Sequence, residues 1–111
     1  MTGAVAARLA SIQRKGGINS REVAELVGAS PATVSRWRAG SKPERTRLRT
    51  LLDLDWLIKQ LADFYEGDEA RLWLFARHPL LKGERPFDRI KEGKIEDVLA
   101  LIDQLQSGAV V

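Results

Sequence analysis

Residues 19–40, NSREVAELVGASPATVSRWRAG, space their small, apolar and capping residues as two short helices crossing at a tight turn require. Ala24 is small enough for two helices to approach closely, Gly28 tolerates the positive φ of a turn, and Val34 is an apolar plug between the helices. Asn19 can cap the first helix with Glu22 three residues on, and Ser30 can cap the second, with Pro31 at the first helical position where a missing N–H costs nothing. The stretch therefore reads as a helix-turn-helix. Its bland counterpart is a helical hairpin that never touches nucleic acid, but length, turn, caps and core positions all agree with the DNA-binding arrangement.

Charge points the same way. Residues 1–50 carry ten Lys or Arg and three acids, a net of +7, whereas residues 51–111 carry eight basics and twelve acids, a net of −4. Phosphate neutralisation supplies most sequence-independent affinity for DNA, so the front half is expected to meet DNA and the rear half something else. Groove-facing positions at the start of the second helix and one turn on are Ala32, Thr33, Ser35 and Arg36, with Ser30 at the cap. Ala32 can contact only a thymine methyl, which leaves Arg36 as the main base reader. Arg38, Lys42, Arg45 and Arg47 follow as candidate DNA contacts, and Arg49 lies in the same basic run. Trp37, three residues after Val34, is expected in the core.

Outward from this stretch the periodicity stays helical. Val5, Leu9 and Ile12 mark an opening helix that stops at Gly16 and Gly17. Leu48 through Tyr65 predict a helix of about five turns, ended by Gly67, that crosses from the front half to the rear. Asp68 is then placed to cap EARLWLFAR, which must stop near His78 because Pro79 cannot continue it. His78, the single histidine, can cap the last carbonyls. HPLLKGERP reads as an ordered loop, Pro86 opens a short helix closed by Gly93, and Ile95, Val98, Leu99, Ile102 and Leu105 stripe a final helix from about Lys94 to Gln106. No run alternates with a strand period, so the fold is all-α: a helix-turn-helix bundle over residues 1–66, joined by a long helix to a small helical domain over 67–111.

Composition narrows the function classes. At 111 residues and 44% apolar content, the chain can form one small core, or two subdomains sharing one. Without cysteine and with one histidine, thiolate chemistry and a metal site are not expected, nor is any cofactor. The acids Asp53, Asp55, Asp63 and Glu66 are spaced as a solvated face, no serine has a nearby histidine, and no phosphate-binding loop is present, so an enzyme is not expected. No signal peptide and no membrane span are read, which fits a cytoplasmic regulator.

With these elements placed, the front half resembles the Xre and phage-repressor type of helix-turn-helix. The rear, RLWLFARHPLLKGERPFDRIKEGKIEDVLALIDQLQSG, resembles the C-terminal domain of the MbcA/ParS/Xre antitoxins. The matching positions are Trp73 and Leu74, the loop residues Pro79, Leu81, Gly83 and Pro86, then Gly93, Val98, Leu99 and Gly108. Phe87 departs from the aliphatic residue common at that place, so local packing there is expected to differ. The resemblance implies an antitoxin whose partner is a RES-domain, NAD-consuming toxin, with the front half repressing the shared promoter. Trp73, Leu80, Leu81, Lys82, Gly83, Pro86 and Phe87 are the candidate toxin contacts, Phe75 is a further large apolar side chain of this stretch, and the tail Gly108, Ala109, Val110 and Val111 is a candidate plug of the toxin's NAD pocket. A homodimer on operator DNA is expected, assembling further with toxin. The competing reading is a stand-alone dimeric repressor with no toxin.

Overall fold

The computed structural model of the chain describes residues 3–108 and contains, among them, seven α-helices, one 3-10 turn and no strand. The helices are α1 (Ala4–Gly16), α2 (Ser20–Val27), α3 (Pro31–Arg38), α4 (Arg45–Ala62), α5 (Gly67–Phe75), α6 (Pro86–Lys91) and α7 (Ile95–Gln106), and the 3-10 turn is Pro79–Leu81.

Local chemistry sets most of these boundaries. Asn19 and Glu22 form a reciprocal capping box, the Glu22 amide donating to Asn19 Oδ1 at 2.8 Å and the Asn19 amide to Glu22 Oε1 at 2.9 Å. Ser30 Oγ accepts from the Thr33 amide at 3.1 Å, with Pro31 at the first turn of α3. Gly17 and Gly28 end α1 and α2 with φ of 64° and 71°, the left-handed region open to glycine. His78 Nε2 lies 3.3 Å from the Trp73 carbonyl, the expected cap at the end of α5.

Two boundaries differ from the sequence expectation. α4 closes at Ala62, with Phe64 exposed and Tyr65 half-buried beyond it. Gly67 is then the first residue of α5, and the Glu66 amide donates to Glu69 at 3.4 Å, so Asp68 lies inside the first turn and is not its cap. The physical reason is close approach: a Cβ on Gly67 would stand 2.8 Å from the Arg14 carbonyl, and one on Gly17 only 2.2 Å from the Gly67 carbonyl. Glycine at 67 therefore lets the start of α5 pack on the end of α1, where the expectation had used it as a helix stop.

One continuous apolar cluster runs through the molecule, from Leu9, Ile12, Val23, Val34 and Trp37 through Leu51, Leu54, Leu57 and Leu61 of α4 to Leu74, Ile90, Val98 and Ile102. α4 is its spine, packing on α1 and α2 on the front side and on α5 and α7 on the rear, while α2 also meets α6. No described helix is long and apolar enough to cross a membrane.

Candidate DNA and partner interfaces

On α3 the side chains divide by face. Val34 and Trp37 are buried, while Ala32, Ser35 and Arg36 are exposed, with Ser30 exposed before them and Thr33 partly so. The outward set is the one expected to enter a groove. It is also organised internally: Thr33 Oγ1 lies 2.9 Å from Ser30 Oγ and accepts from Arg36 Nη2 at 2.9 Å, which holds the guanidinium over the N-terminal half of the helix. Lys42 and Arg45 are exposed just beyond α3.

Two of the expected DNA contacts are turned inward. The Arg38 guanidinium donates to Gln13 Oε1 and, at 3.0 Å, to Ser20 Oγ, tying α3 to α1 and α2. Arg47 donates to the Val27 carbonyl at 3.0 Å, satisfying an orphan acceptor at the end of α2. Both are half-buried. A sequence shows that these residues are basic and near the second helix, but not that unsatisfied acceptors lie within their reach.

The rear half shows a similar division. Trp73, Leu81, Pro86 and Phe87, expected as toxin contacts, are buried in the chain's own core. Their correction has a packing cause: Phe87 stacks on Phe75 with ring centroids 4.6 Å apart, and Trp73 lies 5.0 Å from the His78 ring. Phe75 is covered further by the Arg71 and Arg85 guanidiniums at 4.7 and 5.4 Å from its ring centre, a cation–π arrangement. Leu80, 57% exposed, Lys82 and the partly exposed Gly83 remain on the surface. Lys82 holds a left-handed φ of 58°, the uncommon conformation for a non-glycine residue, and turns the loop outward. A groove of about 460 Å³ opens beside it, lined by Leu80, Lys82, Arg89, Lys94, Asp97 and Gln104 among others. Ala109, Val110 and Val111 lie outside the described residues; Gly108 closes them at φ 85°.

Arg89 organises this surface. It donates to Glu84 at 2.8 Å, to Asp97 at 2.5 Å and to the Leu81 carbonyl at 3.2 Å, pinning the loop to α6 and α7. Its hydrogen bond to Glu84 is the main reason its pKa is raised. Arg85 and Asp88 make a fork at 2.7 and 2.8 Å, which lowers the Asp88 pKa.

Sequence reasoning missed the roles of three residues: one joins the halves, one ties α1 to α4, and one is an exposed leucine. Arg71 grips Glu22 with two bonds of 2.7 and 2.9 Å and the Gly17 carbonyl at 3.0 Å. Asp55, expected on a solvated face, is 2% exposed and held by Arg8 at 2.5 Å and Lys59 at 3.0 Å. Leu72 is 72% exposed.

The comparisons with known proteins follow the same two halves. Residues 60–108 match the model of the antitoxin Xre/MbcA/ParS C-terminal toxin-binding domain, and residues 9–36 match a winged helix-turn-helix DNA-binding model. No strand that would make a wing forms among the described residues. The chain is 36% identical over 96 residues to the mycobacterial cidal antitoxin MbcA of Mycobacterium tuberculosis and of Mycobacterium bovis, covering 86% of this chain and 85% of each relative. In three dimensions it matches a chain from the crystal structure of the M. tuberculosis MbcT-MbcA toxin-antitoxin complex, with a TM-score of 0.82, 33% identity, and coverage of 98% of this chain and 99% of that one. A helix-turn-helix in the first half and the toxin-binding domain pattern in the second, with relatives alike over nearly the full length, make this chain a member of the Xre/MbcA/ParS antitoxin family.

Proposed function

We propose that this chain neutralises a RES-domain, NAD-consuming toxin through its rear half, residues 67–111, and represses the promoter of the pair through its front half, residues 1–66, in the cytoplasm. The observation that carries the reading is the likeness, over 98% of the chain, to a chain of a toxin-antitoxin complex. The exposed Leu80 and Lys82 and the partly exposed Gly83 are the contacts on the toxin side, and Gly108 with Ala109, Val110 and Val111 blocks the toxin's active site. Ser30, Ala32, Thr33, Ser35 and Arg36 meet operator bases or adjacent backbone, and Lys42 and Arg45 meet flanking phosphates. Two-fold pairing of the chain would match a palindromic operator.

A binding series on the DNA upstream of the chain's own gene, together with affinity purification from cells expressing the neighbouring reading frame, tests both halves. Arg36→Ala is expected to lose about 1–3 kcal/mol of discrimination at one base pair if Arg36 reads guanine. A uniform loss across sequences would make it a phosphate contact. Failure of a second chain to co-purify would leave a stand-alone repressor.

A further inference from the structure

Arg36 differs from its neighbours in what holds it. Arg38 and Arg47 are turned onto acceptors of their own chain, and Arg49 and Arg71 are paired with Asp53 and Glu22. Among the described residues no acid pairs with Arg36; its Nη2 donates instead to Thr33 Oγ1 at 2.9 Å, one turn back on α3. A hydroxyl acceptor gives the guanidinium a direction without cancelling its charge, so the full cation stays available to a ligand.

Hydrogen accounting sets the direction of the whole chain of bonds. A guanidinium only donates, so Thr33 Oγ1 is the acceptor in its bond with Arg36. Ser30 Oγ lies 2.9 Å from Thr33 Oγ1 and already accepts from the Thr33 amide at 3.1 Å. The cation on Thr33 Oγ1 polarises its O–H and makes it the stronger donor of the two hydroxyls, so the Thr33 proton points to Ser30 Oγ. The donors then run one way, from Arg36 to Thr33 to Ser30. What remains for a ligand is donors at both ends: the other guanidinium N–H groups and the Ser30 hydroxyl proton. Guanine offers them two acceptors, N7 and O6, on its major-groove edge, whereas adenine and cytosine each place an amino donor there.

We propose that Thr33 is a positioning residue for base recognition: its hydroxyl holds Arg36 for guanine in the major groove and frees the Ser30 hydroxyl to donate to a neighbouring phosphate oxygen. The contact that Thr33 itself makes with DNA is then through its methyl group. This rests on the DNA-binding function proposed above and gives Thr33 a part in it that exposure and charge alone do not show. An arginine that turns freely must be immobilised when it binds, whereas one already held loses less, a difference of about 3- to 10-fold in affinity.

The test is a binding series with the full chain on the DNA upstream of its own gene and on single-base-pair variants of that DNA. It compares wild type, Thr33→Val, Thr33→Ser, Arg36→Ala and the double variant Thr33→Val with Arg36→Ala. Valine keeps the branched shape and the backbone amide that donates to Ser30, and removes only the hydroxyl, so the helical circular dichroism and the melting temperature should stay at wild type. Arg36→Ala should lose discrimination at one G·C pair, and Thr33→Val should lose about 3- to 10-fold of the discrimination at the same pair. Thr33→Ser, which restores the hydroxyl, should stay within about 2-fold of wild type. In the Arg36→Ala background Thr33→Val should change nothing further, because the hydroxyl acts through the guanidinium. Wild-type discrimination in Thr33→Val beside its loss in Arg36→Ala would overturn the role of Thr33 while leaving the DNA-binding function in place. Thr33→Ser as impaired as Thr33→Val, or an equal Thr33→Val loss with and without Arg36, would overturn it too. A wild-type chain with no preference for its own upstream DNA would end both the proposal and the function it rests on.

Discussion

The Arg71 guanidinium reaches from α5 back to the capping box of α2, so one side chain closes the front half onto the rear. Its hydrogen bonds to Glu22 are the largest cause of the lowered Glu22 pKa. Arg71→Ala is expected to cost about 1–2 kcal/mol in urea unfolding, below the usual value for a charged pair because the Arg71 side chain is 44% exposed. The carboxylate is bound more tightly in the folded state than in the unfolded one. Its contribution is therefore complete at neutral pH, declines as pH falls below the ordinary Glu range near 4.5, and is gone below the depressed folded value. Acid titration of the wild type against Arg71→Ala should show the two stabilities converging in that window. Asp55 makes the second residue-scale prediction. Removing Arg8 or Lys59 alone leaves one cation on the buried carboxylate, but Arg8→Ala with Lys59→Ala orphans it. The double variant should then lose about 3–5 kcal/mol, more than the sum of the singles, in a double-mutant cycle. Neither cluster was legible in the sequence, because Glu22 and Arg71 lie 49 positions apart and Arg8 and Asp55 lie 47 apart. Asp55 shares the helical spacing of solvated acids, and only packing shows α1 lying over it.

At the scale of elements, turn chemistry was legible wherever the signal was local. Asn19, Glu22, Ser30, Pro31 and Gly28 fix the helix-turn-helix through bonds that span three or four residues, and His78 caps α5 as its position before Pro79 implied. Contacts that cross the fold leave no such local signal. Gly67 follows an apolar run, as a helix stop usually does, but its actual constraint is the backbone of α1, four helices earlier. The glycines separate these cases experimentally. At Gly83 an added Cβ meets open space, so Gly83→Ala should cost only the left-handed strain of about 1–2 kcal/mol. Gly17→Ala adds the same strain and places its Cβ 2.2 Å from a carbonyl oxygen, so its thermal midpoint should fall clearly further than that of Gly83→Ala. The same distinction explains the site residues. Exposure on α3 follows from helical phase and was read correctly for Ala32, Ser35 and Arg36, whereas the burial of Trp73, Leu81, Pro86 and Phe87 depends on Phe75, His78 and α6 folding over them.

For the whole molecule, the apolar cluster has no break between the two halves. Trp37 reports on the front and Trp73 on the rear, and both are buried. Variants retaining only one of these tryptophans should unfold in urea with wild-type-like cooperativity, and a probe of the front and a probe of the rear should give coincident transitions. Two separated transitions would mean that residues 1–66 and 67–111 fold as independent domains. The charge asymmetry survives folding as a division of labour: free cations Arg36, Lys42 and Arg45 around α3, and a rear half whose Arg85 and Arg89 are spent on acids of their own chain. Intracellular NAD in cells expressing the neighbouring gene product tests most directly the proposal that this chain silences a NAD-consuming partner. Expression of the partner alone should deplete NAD, co-expression of this chain should restore it, and a Leu80→Asp chain that still binds its promoter should restore it less. If NAD is unaffected by the neighbouring product, or is depleted equally with and without this chain, the antitoxin account of its rear half is contradicted.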